Sequence, residues 1–421
     1  MNKHESQLIA ISELRIGMYV ELELGWMAHP FPTGSFKITT QRQIEVIRDL
    51  GLKEVHYVPA RSDLPVQGGT LMPEADQAAR QLSQEREARR RRSALIELQQ
   101  RSLQACERKF ASAQREFKQV QEQALERPQA TRDRVTALVD GIVREMNCDG
   151  EAAIRLLSEG MGERAAMHPV NVTVMSLLLA RAMGMQGQDL LDLGVGAFLH
   201  DIGKLQLPQR VRWFEDGFSI DDFKQYQEHV SKGVAIANRM QLSEGALMAI
   251  AQHHELMDAS GFPMRPPGTD LTLGARILAL VNRYDNLCNP VRLVTAMTPH
   301  EALSLLFAQH KARYDGMVLS AFIRMMGVYP PGSVVQLLDG RYALVVSVNS
   351  VRPLKPRVIV HEPSVPRHEA LILDLEDHPG IGIRRSLKPA SLPADALEYL
   401  GPRQRIAYYF EGSGPAPLEG S

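Results

Sequence analysis

Between Glu74 and Glu126 the chain runs without a single glycine or proline and is built largely from Arg, Glu, Gln and Ala. A run of strong helix formers with no turn residue predicts one long helix. Within it Leu103, Cys106, Phe110, Ala113, Phe117, Val120 and Ala124 repeat at alternating spacings of three and four, which is a heptad seam. A seam needs a second helix, because a lone amphipathic helix is only marginally stable in water. The expected partner is a second copy, giving a homodimer through residues 103–124, with an intramolecular hairpin as the alternative. Arg89–Arg92 precede the seam; with Glu85 and Glu87 alongside, they read as a solvated helix face rather than a lipid or nucleic-acid contact. Pro128 ends the helix, and Val135, Leu138, Val139, Ile142, Val143 and Met146 mark one face of the next.

This run divides the chain of 421 residues. Residues 1–62 are expected to form a small α+β domain. Met18–Leu24 and Glu54–Val58 alternate like strands around a helical pattern at Gln41–Leu50 that stops at Gly51. Trp26 reads as a core anchor. Pro65, Gly68, Gly69 and Pro73 mark a linker. The charged helical region covers 74–147, and a helix-rich region with short loops covers 148–328. From 329 to 415 the texture is that of a small β domain: Val334–Leu338 and Tyr342–Val348 flank the hairpin dipeptide Asp339-Gly340, and short runs at 357–361, 370–375 and 406–410 follow. The predicted class is mainly α with small sheets at either end.

Composition narrows the function. A net charge of −1 argues against a uniformly basic nucleic-acid binder, so no DNA partner is expected. Cys106, Cys148 and Cys288 are odd in number and far apart, which excludes a disulfide framework and a cysteine zinc cluster. No stretch approaches 18 uninterrupted apolar residues, so no transmembrane segment is predicted. The opening MNKHESQLIAISEL does not read as a secretory signal, and a cytoplasmic location is the expectation.

The chemistry-bearing residues concentrate in 148–328. His168 is followed by His200-Asp201 within Ala197-Phe-Leu-His-Asp-Ile-Gly-Lys204, then by His229 and His253-His254-Glu255. One histidine on an apolar helix is usually a core residue. Five of them with an aspartate, and no ligating cysteine, suit iron, manganese, zinc or cobalt. Other templates are missing: there is no G-x-x-x-x-G-K-[ST] loop, no H-E-x-x-H and no G-x-S-x-G. What remains is metal-assisted hydrolysis, in which two cations about 3.5–4 Å apart activate a water and stabilise a leaving oxygen.

The order His168, His200-Asp201-Ile-Gly-Lys204, His229, His253-His254-Glu255-Leu-Met-Asp258-Ala-Ser-Gly261-Phe262-Pro263 resembles the HD-GYP family of bacterial phosphodiesterases. The resemblance covers about residues 150–328 and continues through Leu273–Val281, Tyr284-Asp285 and Tyr314-Asp315-Gly316. The first ninety or so residues resemble the small domain often found ahead of this one. The resemblance implies an all-helical HD-superfamily domain that binds two or three divalent transition metals. Fe or Mn comes first, with Zn, Co or Ni as alternatives. The implied substrate is cyclic di-GMP, cut to pGpG and/or GMP in second-messenger signalling. By the same resemblance, His168, His200 and Asp201 hold the first metal with Asp201 as the bridge. His229, His253 and His254 hold the second or a third, and Lys204 contacts a substrate phosphate or the activated water. Gly261, Phe262 and Pro263 stand where the family has Gly-Tyr-Pro; phenylalanine can stack on guanine but lacks the hydroxyl.

Three positions depart from the family pattern. Asn282 replaces the last metal-ligating aspartate, an amide oxygen in place of a charged one. Val291 and Val294 replace basic residues that grip phosphate, leaving Arg283 and Arg292 as substitutes. Ala259 replaces a loop glycine, which would strain a position that needs positive φ. The expected function is cyclic di-GMP phosphodiesterase. The alternative is a catalytically degenerate HD-GYP module that senses nucleotide or binds signalling proteins, and a third reading is a phosphohydrolase for another nucleotide.

Overall fold

The computed structural model describes residues 6–22, 24, 31, 33–63, 74–148, 153–213, 217–349 and 352–411. Trp26 and most of the expected linker, residues 64–73, lie outside them. The chain divides at Arg90 and Arg91 into two units.

In the first unit, strands β1 (Gln7–Ala10), β2 (Tyr19–Glu21), β3 (Ser35–Lys37) and β4 (Glu54–Tyr57) form an antiparallel sheet in the order β1-β4-β2-β3. Helix α1 (Gln41–Asp49) begins at a capping box, in which the Thr40 side chain accepts from the Gln43 amide and Gln43 reaches back. Ile44 and Ile47, one turn apart, enter a core with Val20, Ile38 and Val55.

The long helix α2 (Glu74–Gln123) and helix α3 (Pro128–Cys148) are antiparallel, since Lys109 pairs with Glu145 and Arg134 with Glu116. Six of the seam residues, Cys106, Phe110, Ala113, Phe117, Val120 and Ala124, are buried in one core with Val135, Val139, Ile142 and Met146 of α3. Phe117 meets Phe198 edge-on with ring centroids 5.4 Å apart, and the Cys106 thiol lies 3.4 Å from the Phe410 carbonyl. Within the chain, the intramolecular hairpin named as the alternative to a dimer covers these six residues. A heptad pattern reports that a stripe is buried, and does not say whose helix buries it.

Strand β5 (Ala153–Leu156) precedes helices α4 (Arg164–Ala182), α5 (Gly187–Leu199), α6 (Ile220–Arg239), α7 (Glu244–Gln252), α8 (Leu273–Cys288), α9 (Pro299–Ala308) and α10 (Gly316–Met326). Helix α4 is buried on every side from Ala166 to Ala180, as a central helix must be. Strands β6 (Val334–Leu337), β7 (Tyr342–Val348), β8 (Arg357–Val360), β9 (Ile372–Asp374) and β10 (Ile383–Leu387) follow, then helix α11 (Ala394–Leu400) and strand β11 (Tyr408–Glu411). The sheet runs β10-β6-β7-β5-β11, with β8 on β7 and β9 on β8. Strand β5 thus sits between β7 and β11. The expected β domain at 329–415 does not stand apart as far as it is described, to Glu411, because its sheet is completed by β5 from ahead of α4.

Candidate metal centre

Four helix ends and faces deliver the site. His168 lies in the buried first half of α4, His200 and Asp201 follow the end of α5, His229 lies on α6, and His253 and His254 follow the end of α7. A 3-10 turn over Ile202–Gln206 carries Lys204. Gly203 in that turn is obligatory, since a Cβ there would stand 1.9 Å from the His229 carbonyl oxygen and 2.4 Å from the Gly233 nitrogen. Its absence lets the turn press its backbone onto α6 and brings Asp201 to His229.

The geometry is that of two imidazole pairs about one carboxylate. The Nε2 atoms of His168 and His200 are 3.2 Å apart, as are those of His229 and His253. Asp201 Oδ2 lies 3.7 and 3.4 Å from the first pair, and Oδ1 lies 3.6 and 3.8 Å from the second. Among the described residues, the ligating atoms of His168, His200 and Asp201 form one compact group, and those of Asp201, His229, His253 and His254 another.

The remaining ring nitrogens fix the tautomers. His200, His229 and His253 each direct Nδ1 at the carbonyl three residues earlier, of Ala197, Tyr226 and Ile250, at 2.6–2.7 Å. His168 Nδ1 instead meets Asp285 Oδ2 at 2.6 Å. Each Nδ1 must donate, so each Nε2 presents a lone pair. Burial lowers the pKa of His168, His253 and His254, and lowers that of His229 to about 4, so these rings stay neutral. Opposed lone pairs repel unless a cation lies between them. Asp201 Oδ1 and His254 Nε2 are buried without a hydrogen-bond partner, which fits the same conclusion. Neutral imidazoles around a carboxylate make a donor set that could hold divalent metal.

Asp201 is itself held as an anion. Burial pushes its carboxyl up, but Lys204, His200 and His229 together bring it well below the usual carboxylate range. Lys204 Nζ stands 2.6 Å from Asp201 Oδ2 and 5.0 and 5.4 Å from the centres of the Trp213 and Tyr226 rings. Burial lowers the lysine pKa, and Asp201 opposes that shift. Lys204 is thus aimed inward rather than into solvent.

The Gly-Phe-Pro loop closes one side. Phe262 stacks on His254 with ring centroids 4.4 Å apart, and the bond to Pro263 is cis. A Cβ on Gly261 would lie 2.4 Å from the His254 carbonyl oxygen. The buried Glu255 carboxylate accepts from the backbone of Met264 and Arg265, which ties the loop to the histidine pair. Ala259 does adopt left-handed backbone, at φ 55°.

Asn282 is buried on α8, and its Oδ1 accepts from Asn286 Nδ2 at 2.7 Å. Arg283 and Arg292 are exposed, as is Val294, and among the described residues no ion pair joins either arginine to Asp201. Asp285 was part of the resemblance but was given no role from sequence, and Asn171, Asn289, Arg164, Trp213 and Tyr226 were not singled out. One signal was available, since Asn282, Asp285 and Asn286 on α8 and Asn289 just after it form a polar stripe at helical spacing.

A family model described as an HD domain matches residues 148–318, and one for a domain of unknown function (DUF3391) matches residues 6–135. A cyclic di-GMP phosphodiesterase of Pseudomonas aeruginosa is 27% identical over 365 residues, 84% of either chain. The cyclic di-GMP phosphodiesterase response regulator of Xanthomonas campestris is 29% identical over 150 residues, 35% of this chain and 39% of its own. An HDG"Y"P protein from Bdellovibrio bacteriovorus, of solved structure, aligns with a TM-score of 0.40 at 15% identity over 76% of this chain and 98% of its own. The paired imidazoles about Asp201 all fall inside residues 148–318, the segment that matches the HD domain model.

Proposed function

We propose that the chain is a metal-dependent phosphodiesterase that hydrolyses cyclic di-GMP to pGpG and/or GMP in cytoplasmic second-messenger signalling. The observation that carries this reading is the pair of opposed Nε2–Nε2 contacts sharing Asp201, one carboxylate oxygen to each pair. His168 and His200 with Asp201 serve one cation; His229, His253 and His254 with Asp201 serve another, and Asn282 stands by for two or three in all. Iron or manganese suits these donors, with zinc, cobalt and nickel as alternatives. Bound there, divalent cations supply an activated water and charge stabilisation for the leaving 3′-oxygen.

The protein's own residues do the rest. Asp201 stays ionised in a buried site. Lys204 presents a positive charge beside it for a phosphate oxygen, and Phe262 offers a ring face to guanine above the histidines. The test is anaerobic loading with Fe(II) or Mn(II), metal analysis, and product analysis with cyclic di-GMP. Conversion to pGpG or GMP supports the reading, with His200→Ala and Asp201→Ala each losing most of the metal. A metal-free protein after loading overturns it.

The exposure of Val294, Arg283 and Arg292 favours a second reading, a degenerate module that senses nucleotide or binds signalling proteins. Metal uptake and cyclic di-GMP binding without turnover would select it.

A further inference from the structure

Arg164 opens α4 one helical turn before His168. Its Nε donates to the Asn289 carbonyl at 2.6 Å and its Nη2 to Asn286 Oδ1 at 2.7 Å. Both acceptors are neutral. Among the described residues no carboxylate lies within ion-pair distance of the guanidinium, and Nη1 has no acceptor. The group is nonetheless drawn into the site, where Asp285 and Asp201 act on it from beyond contact range. Its Cζ lies 5.0 Å from the centre of the Trp213 ring, the same distance at which Lys204 Nζ lies from that ring. Two cations therefore share one indole, and only Lys204 touches a carboxylate, one already committed to the histidines.

A guanidinium tied down along one edge keeps its geometry and offers the other edge. That is the arrangement suited to a phosphate oxygen, which takes a fixed fork better than a mobile charge. The indole adds a low-dielectric face that strengthens both cations' hold on an anion. Val291 and Val294 leave no positive charge at their own positions, so a phosphate grip has to come from elsewhere in the chain.

We propose that Arg164, seated on Trp213 beside Lys204, is the residue that grips the substrate's phosphate. Arg164 binds the anion directly; Trp213 and Asn286 position it. The ligand class is a phosphate ester, and its identity as cyclic di-GMP rests on the function proposed above.

The chain has two tryptophans, Trp26 and Trp213, so Trp26→Phe leaves Trp213 as the sole tryptophan, excited selectively at wavelengths where tyrosine does not absorb. The full chain in this background, stripped of metal by chelator, is titrated with GMP and with orthophosphate. We expect a saturable change in Trp213 emission. Arg164→Gln should weaken it about tenfold or more, the loss of a charge-assisted hydrogen bond. Arg164→Lys should lose about threefold, keeping charge without the fork. Asn286→Ala, which removes one tie and leaves the guanidinium, should change affinity less than Arg164→Lys does. No saturable signal with either probe, or equal losses in Asn286→Ala and Arg164→Gln, would overturn the proposal and leave Arg164 as a helix tie. If Arg164→Gln does not fold, unchanged affinity in Arg164→Lys overturns it. Hydrolysis separates the two readings. GMP binding that depends on Arg164, without cyclic di-GMP turnover, removes the substrate and keeps the grip. Turnover with a KM indifferent to Arg164 does the reverse.

Discussion

His168 Nδ1 and Asp285 Oδ2 are 2.6 Å apart, and through that contact a ligand of the candidate centre is joined to the C-terminal sheet. Asp285 Oδ1 accepts from Asn171 at 2.8 Å and from Asn289 at 2.9 Å. Both amides also donate to the Ile406 carbonyl, while their oxygens accept from the Tyr408 and Ile406 backbone. The backbone entering β11 thus fixes two asparagines, the asparagines fix a carboxylate, and the carboxylate fixes an imidazole.

Asp285→Asn keeps the shape of that network but removes the charge that orients His168. Losing a partner that orients a ligating imidazole costs roughly 10–100-fold in metal affinity. We expect a drop in that range in a Mn(II) or Co(II) titration, with the far-UV spectrum unchanged. Affinity equal to the parent protein would show that His168 needs no orienting partner.

Ala259 holds φ 55° in the loop after the histidine pair, where an L-residue pays about 1–2 kcal/mol. Ala259→Gly relieves this, less the entropy glycine adds to the unfolded chain. A net gain of about 1 kcal/mol corresponds to a rise of roughly 2–4 °C in Tm. A fall in Tm would mean that the loop already accommodates the methyl group without strain.

The self-filled seam makes two predictions of its own. Phe110→Ala should cost about 3–5 kcal/mol, and the loss should not depend on protein concentration, because its ring packs in the core of its own chain. Burial, with Glu411 adding to it, pushes the Cys106 thiol from 9.0 up to about 11. The unfolded thiol therefore ionises first: this stabilisation is complete below pH 9 and is lost as pH rises from about 9 to 11. Native Cys106 should resist thiol reagents at pH 8 until the protein unfolds. Fast labelling of the native chain would mean that the seam opens.

Much of the site was legible because its ligands come in short strings at helix ends. His200-Asp201 and His253-His254 are adjacent in sequence, so one motif carries several donors. The partners that orient them were not legible in the same way. Asp285 lies 117 residues from His168, and the backbone of Ile406 lies farther still. Backbone carbonyls that take imidazole protons leave no mark on composition at all. Burial likewise has no address: the seam predicted a partner for α2 but not its identity, and the β texture of the tail did not reveal that β5 completes its sheet.

Asn282 provides the sharpest remaining test. It lies three residues before Asp285 on α8, so the two side chains share the face that meets His168. Its oxygen accepts from Asn286, whose own oxygen accepts from Arg164, so a carboxylate at 282 would keep an acceptor where one is needed. It would also add a negative charge to a centre in which, among the described residues, Asp201 is the one carboxylate grouped with the histidine ligand atoms. Without metal, that charge is buried and poorly compensated, so metal-free Asn282→Asp should melt below the parent protein. With metal, the charge is answered by the cation, and Mn(II) or Fe(II) occupancy should rise. A carboxylate also makes the centre a weaker Lewis acid, so cyclic di-GMP hydrolysis should gain at limiting metal and gain less at saturation. The signature is a change of sign: Tm falls in the metal-free form while metal-dependent stabilisation grows. Tighter metal binding with no gain in hydrolysis would favour the degenerate module. A fall in Tm of the same size in both forms, with unchanged metal affinity, would place Asn282 outside the centre.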